Sequence, residues 1–316
     1  MIRTPLCDML GIKYPIIQGG MAHIAEGHLA AAVSEGGGFG VIGSGFADPE
    51  FVLEQIKLVR SLTDKPFGVN IILENPRAGE IAQVCAEERI VAVTTGAGSP
   101  APFMPMLTEA NVKVIPVIPH TRAAKKMAGL GATALVAEGM ESGGHVGKMT
   151  TLPLVPQVVD AVDIPVIAAG GIGDGRGLVA ALAMGAIGVQ MGTFFLATEE
   201  CCVSDVYKKY ILDATDNSTL LTGLPGSKQV RCIKNSFTDG AEALRKRGCS
   251  QEEMDAYCTG SLRAARDGDS ERGGFSAGQI SGMIKEIKPA AKAMQDMMEE
   301  AEQVLAQLTK TYGNLR

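Results

Sequence analysis

Ala134-Leu-Val-Ala-Glu-Gly-Met-Glu-Ser-Gly-Gly-His-Val-Gly-Lys148 is a short apolar run that passes through one carboxylate, Glu138, and ends in glycines framing one histidine, His145. A parallel strand covered on both faces reads as a continuous apolar run of this kind. Glycines after such a run let the backbone approach a ligand closely and take up positive φ. A histidine among them is presented at a loop tip, where an imidazole that titrates near neutrality can do proton chemistry. The stretch has the form of a strand that delivers functional groups at its carboxyl end. The plain alternative is a Gly-rich turn carrying a solvated histidine, and the flanking sequence weighs against it.

Outward from this stretch the same unit repeats. Pro15–Gln18, Phe39–Gly43, Phe67–Leu73, Ile90–Gly96, Lys113–Ile118, Pro165–Gly171 and Gly188–Thr193 are further apolar runs of strand length, separated by stretches with helical periodicity. With Ala134–Glu138 they make eight strands, and eight strand-then-helix units of ~20–25 residues predict an α/β chain folded as a (β/α)8 TIM barrel. Composition agrees: 46% of the 316 residues are hydrophobic and 39 are Gly, whereas aromatics are 4% and Trp is absent. From Thr198 to Gly274 the rhythm stops and the chain turns polar, so residues 198–274 are expected to be an inserted cap or substrate domain between the barrel segments 1–197 and 275–316. Tyr207, Tyr210, Leu220, Leu221, Ile233, Phe237 and Tyr257 give that segment enough apolar surface to pack, against the alternative of a disordered linker. Ala290 to Leu308 reads as one long helix whose methionines, at helical spacing, belong to core or dimer packing.

Charge and cysteine usage exclude several function classes. A net charge of −6 leaves no basic surface for nucleic acid; the short clusters Lys125-Lys126 and Arg245-Lys-Arg247 read as solvated helix faces. No apolar run approaches the ~20 residues of a membrane span, and Met1-Ile-Arg-Thr lacks a secretory core, so a cytoplasmic protein is expected. Seven cysteines without a C-x-x-C pattern suit reduced thiols better than a disulfide framework or a zinc site.

In a barrel the carboxyl ends of all strands converge on one face. Here they bring Gln18-Gly-Gly-Met-Ala22, Asn70, Glu138, Ala169-Gly-Gly-Ile172 and Gln190-Met-Gly-Thr193. The ends of the last two strands are where this fold builds phosphate sites from backbone N–H groups. Gly170 and Gly171 would let the backbone reach a phosphate, and Thr193 adds donors. Two dinucleotide-like glycine patterns compete with this reading. Gly38-Phe-Gly-Val-Ile-Gly43 precedes and enters a strand instead of linking strand to helix, and Gly175-Arg-Gly-Leu-Val-Ala180 is displaced from its strand by a second loop. His23, His28, His120 and His145 have no metal-ligand spacing, and no nucleophile elbow is present. One titratable ring, few carboxylates and a phosphate cradle point to an organic cofactor that carries the chemistry.

Gln18–Ala22, Lys65-Pro-Phe-Gly-Val-Asn70, Thr94-Thr-Gly-Ala-Gly98, Ala137–Lys148, Pro165–Ile172 and Val189-Gln-Met-Gly-Thr193 resemble the type II, FMN-dependent enoyl-acyl-carrier-protein reductases (FabK). They also resemble, less closely, the wider nitronate monooxygenase-like flavoproteins. The resemblance runs from about residue 2 to Phe195 and resumes at Arg231-Cys-Ile-Lys-Asn235 and Gly274–Gly282. It implies an FMN-binding barrel whose phosphate site is Gly170, Gly171, Gly192 and Thr193. Gly20, Met21, Ala22 and Asn70 would lie by the isoalloxazine, with Glu138 and Gln190 among the polar contacts and Gly143, Gly144 and Met191 in the same cofactor set. His145 matches the active-site histidine. The implied reaction uses NADH or NADPH to reduce FMN, which then reduces a trans-2-enoyl-acyl-carrier-protein thioester; His145 either supplies the Cα proton or orients the thioester carbonyl. A homodimer is expected. The rival within flavoenzymes is a nitronate monooxygenase using O2, and the rival outside them is a phosphosugar aldolase or isomerase. The latter needs a Schiff-base Lys or paired carboxylates at strand ends, and only Glu138 is present.

Overall fold

In the computed structural model, which describes residues 2–313, the chain forms eleven strands. These are β1 (Ile16–Gln18), β2 (Gly40–Gly43), β3 (Phe67–Ile72), β4 (Ala92–Gly96), β5 (Lys113–Ile118), β6 (Leu135–Glu138), β7 (Gly144–Val146), β8 (Val166–Ala169), β9 (Val189–Met191), β10 (Thr219–Thr222) and β11 (Gln229–Ile233). Eight of them pair in the order β1-β9-β8-β6-β5-β4-β3-β2, all parallel, as the repeating unit predicted.

Strand periodicity of two sorts the apolar residues into two shells. Ala134, just before β6, and Val136 on it join Ile17, Val41, Ala92, Ile115, Ile167 and Ala169 inside the barrel. Leu135 and Ala137 instead face the outer helices, where they meet Leu154, Val155 and Val158. Leu6 and Leu10, from the helix Pro5–Leu10, belong to the inner shell and plug the end from which the strands start.

The sheet closes where β1 meets β2, and a side chain completes the closure. One parallel bridge, Ile17 to Phe39, joins the two strands. Around it the Gln18 N–H donates to the Phe39 carbonyl at 2.9 Å. The Gln18 Oε1 accepts the Val41 N–H at 3.0 Å, and Gln18 is fully buried. Gln18 stands at a strand end of the barrel mouth, but its amide stands in for ladder bonds that the seam lacks.

Both dinucleotide-like patterns have packing explanations. A Cβ on Gly40 would lie 1.9 Å from the Ala30 carbonyl oxygen, where the helix Gly27–Glu35 presses on β2. On Gly175 it would lie 2.3 Å from the Ala301 nitrogen, where the C-terminal helix, Ala290–Tyr312, crosses the helix Gly175–Ala183. Met294, Met297 and Met298 of that long helix are buried in the chain's own core, so the methionine stripe does not supply a dimer face.

Residues 198–274 fold as an antiparallel hairpin, β10–β11, with helices Asp205–Leu212, Ser236–Lys246, Gln251–Cys258 and Ser261–Asp267. Tyr207, Ile211 and Ile233 share a continuous core with the barrel's outer helices, and Tyr207 meets Phe275 edge-on at 5.0 Å. The hairpin also recruits β7 into a three-stranded sheet, ordered β10-β11-β7. His145 therefore sits on a strand, not at the loop tip its glycines suggested.

Candidate active site

Continuing the inward parity of each strand by one step gives the floor of the barrel mouth. Val69 and Ile71 of β3 and Val93 of β4 pack on the outer helices, so Asn70 and Thr94 face inward. Leu135 and Ala137 face outward, which turns Glu138 inward, and outward Val189 does the same for Gln190. Registry pairs these residues two by two: Asn70 lies beside Thr94, and Ala169 links Glu138 to Gln190. A polar layer thus caps the apolar plug.

Part of this layer has no partner of its own. Asn70 donates its side-chain amide to Thr94 Oγ1 at 2.9 Å. Gln190, only 7% exposed, leaves its buried Oε1 without a hydrogen bond. Glu138 has no ion pair or hydrogen bond to the described residues, and burial pushes its carboxyl up to about 7. An orphaned buried acceptor costs about 1–3 kcal/mol, and an enclosed, unpaired carboxylate costs more. A floor so built is completed by a polar ligand.

Glycines clear the space above it. A Cβ on Gly20 would fall 2.1 Å from the Asn70 Cβ, so only glycine lets the Gly19–Ala22 segment cross this wall. Met21 is held in the same place: its carbonyl accepts the Ile24 and Ala25 N–H groups, and its Sδ lies 3.5 Å from where a Gly192 Cβ would be. Beyond β8, Gly170 and Gly171 take φ of +88° and +71°, and a Cβ on Gly170 would strike the Gly139 carbonyl at 2.6 Å. Met191 ends β9 beside Gly192. Thr193 follows it, with its hydroxyl oxygen accepting the Gly278 N–H at 2.8 Å and its O–H left to donate. Gly278 lies in Gly274–Gly282, where the resemblance resumes, but no local pattern ties it to Thr193.

The two glycines before His145 serve different ends. Gly143 is packed against the strand-like segment Ala277–Gly278, with a Cβ position 2.7 Å from the Ala277 Cα. Gly144 has φ of +78° and open space in front of it. His145 lies opposite Val230 on β7 and its side chain is accessible. Partial enclosure lowers its pKa below the ordinary value, the Lys228 ammonium lowers it further, and Glu74 opposes them. Lys228 and Glu74 pair at 2.5 Å, joining the hairpin tip to the loop after β3.

The nitronate monooxygenase family model matches residues 3–94 and 79–300. A (3aS,4S,5R,7aS)-5-hydroxy-7a-methyl-1-oxo-octahydro-1H-indene-4-carboxyl-CoA dehydrogenase of Mycobacterium tuberculosis is 32% identical, over 95% of this chain and 96% of its own. A probable nitronate monooxygenase of Staphylococcus aureus is also 32% identical, over 96% of this chain and 98% of its own. Among solved structures, FabK from Thermotoga maritima is 44% identical and superposes with a TM-score of 0.95, over 98% of this chain and 100% of that one. The nitroalkane oxidase of Streptomyces ansochromogenes superposes at 0.83 with 28% identity, over 96% of this chain and 99% of that one.

Proposed function

The chain belongs to the nitronate monooxygenase family, and from that premise we propose that it is an FMN-dependent enoyl-acyl-carrier-protein reductase of fatty acid biosynthesis, with NADH or NADPH as reductant. That it is an oxidoreductase of the flavin-dependent kind follows from the family and from the likeness to FabK. The observation that carries the finer reading is that likeness, which is 44% over the whole chain against 28% for the nitroalkane oxidase.

The residues present fit a flavin. The orphaned Gln190 Oε1 and the unpaired Glu138 call for a ligand bearing both donors and acceptors. When bound, FMN supplies a two-electron carrier that accepts hydride from NAD(P)H and delivers it to the β-carbon of the enoyl thioester. Asn70, Glu138 and Gln190 would hold its polar edge and ribityl chain, and Gly20, Met21 and Ala22 would back the ring. Gly170, Gly171, Gly192 and Thr193 would take the phosphate, with Gly143, Gly144 and Met191 lining the same space. With a carboxyl near 7, Glu138 offers an O–H as well as acceptors around neutral pH.

His145 is assigned to the thioester carbonyl, where a ring N–H stabilises the charge that develops as hydride arrives. A proton must then reach Cα: either His145 supplies it and is reprotonated from solvent, or His145 only orients the carbonyl and solvent supplies it. Residues 198–274, which supply β11 beside His145, are taken as the substrate-shaping part of a protein we place in the cytoplasm as a homodimer. Nitronate oxidation is kept as a second reading because relatives of 32% identity bear that name. Stopped-flow reoxidation of the NAD(P)H-reduced enzyme separates the two. A crotonyl or longer enoyl thioester should reoxidise it much faster than aerated buffer with or without a nitronate. If the nitronate with O2 is fastest and the thioester inert, the second reading replaces the first.

A further inference from the structure

β7 has a weakly determined register for a strand that carries the site's histidine. It is three residues long and, among the described residues, pairs with β11 alone, as Gly144 with Arg231, His145 with Val230 and Val146 with Gln229. Two glycines precede its histidine, and Gly144 sits at φ +78° with nothing within 4 Å of its Cβ position. Local backbone preference therefore does little to fix it. A slip of one residue would turn His145 to the opposite face of the sheet, because side chains alternate.

We infer that Arg231 is the positioning residue that locks this register, by gripping the loop between Glu138 and His145 from the face of the sheet opposite His145. Arg231 is 6% exposed. Its Nε and Nη2 donate to the Met140 carbonyl at 3.1 and 3.0 Å, and its Nη1 donates to Thr219 Oγ1 on β10 at 3.2 Å. One side chain thus ties β10 and β11 to the segment that feeds β7. The far side of that segment is already anchored: the Met140 N–H donates to the Met149 carbonyl at 2.8 Å, and the Glu141 carbonyl accepts the Gln279 N–H at 2.9 Å. The loop that feeds β7 is thus held at Met140 and Glu141, and in the observed register Arg231 reaches Met140 while facing Gly144.

The charge supports a geometric role. Arg231 has no carboxylate in ion-pair contact among the described residues. Glu141, the nearest acidic influence, is committed to the Thr151 N–H at 2.9 Å and to the Thr151 hydroxyl at 2.9 Å. Burying a guanidinium against neutral acceptors is unfavourable compared with an apolar residue of similar length. A planar fork with two donors on one carbonyl gives direction that neither an apolar chain nor a lysine can give.

The inference rests on the reading above only for its kinetic arm. Arg231→Met, Arg231→Lys and the milder Thr219→Val are compared with wild type as full-length holoenzyme. Flavin content and the rate of flavin reduction by NAD(P)H should stay within about 2-fold in all three. Reoxidation by enoyl thioester should fall at least 10-fold in Arg231→Met, with partial recovery in Arg231→Lys and a smaller loss in Thr219→Val. The histidine Cε1–H resonances, four in number in this chain and assigned through His145→Gln, give a second measurement that needs no substrate. The His145 midpoint should move in Arg231→Met, or its signal should split as two registers interconvert. An unchanged His145 titration in both Arg231→Met and Thr219→Val would overturn the lock, as would a proportional loss of flavin and of flavin reduction, which marks a merely structural residue. Should wild type itself fail to reduce enoyl thioesters, the functional reading falls and the His145 titration alone decides the role of Arg231.

Discussion

Glu138→Gln should stabilise the FMN-free protein at pH 8 and leave its stability nearly unchanged at pH 4.5. The native carboxyl is raised from 4.5 to about 7, and burial is the cause. Between those values the unfolded chain releases the proton while the folded chain keeps it. A raised acid therefore contributes stability that is full below pH 4.5 and is lost as pH climbs to about 7, with no further change above. At about 1.36 kcal/mol per pKa unit, the loss comes to roughly 3 kcal/mol. Glutamine keeps the shape and never ionises, so the variant lacks this slope; any constant cost of the amide cancels when only the slope is compared. Urea unfolding of flavin-stripped wild type and variant, at steps from pH 4.5 to 8.5, gives the difference directly. A difference that is flat with pH would show that Glu138 is solvated or paired in solution, and the polar floor would need another account.

His145→Ala should keep FMN and flavin reduction but slow the enoyl half-reaction by ~10²–10³, the usual effect of removing one donor to a developing oxyanion; wild-type turnover with full flavin would remove the ring from the mechanism. Thr193→Val should weaken FMN binding about tenfold, measured by fluorescence titration, and lower stability by about 1–3 kcal/mol because the Gly278 N–H loses its acceptor. Gly171→Val forces a branched residue into φ +71° with its Cβ 3.2 Å from that of Glu141, so flavin should be lost at purification; full flavin content would put the phosphate elsewhere. Lys228→Met should raise the His145 midpoint and Glu74→Gln should lower it, read by NMR titration, since the cation depresses the imidazole and the carboxylate opposes it; movement in the reverse senses would refute this account of the charges around His145.

The barrel was legible because parallel strands covered on both faces leave uninterrupted apolar runs, and Ala134 to Ala137 is such a run. Its closure was not, because the seam rests on Gln18, whose amide acts on Val41, and polarity alone does not separate that job from ligand binding. Inward parity continued from Val136 reaches Glu138, and Thr94 could have been found by the same step from Ala92. Gly278 could not, since its tie to Thr193 depends on a fold-wide approach that no local pattern records. The hairpin escaped for a related reason: Thr219-Leu-Leu-Thr has no alternation of polar and apolar residues, Gln229-Val-Arg-Cys alternates for only four residues before Ile233, and their third partner, β7, is mostly glycine and histidine. The histidine was therefore expected at a loop tip, and a strand from far along the chain made it part of a sheet.

The pairing of β1 has a consequence for how the protein is made. β1 gains its ladder from β9, at Ile16 to Val189, and on its other side it has only the seam. A growing chain that has already emitted Ile16 to Gln18 must therefore wait for Met191 to leave the ribosome before that strand finds its neighbour. At about 5–20 residues per second the interval is roughly ten to thirty-five seconds. For that time β1 has no ladder partner, and a synonymous slow codon inside the interval would lengthen the wait without altering a single amino acid.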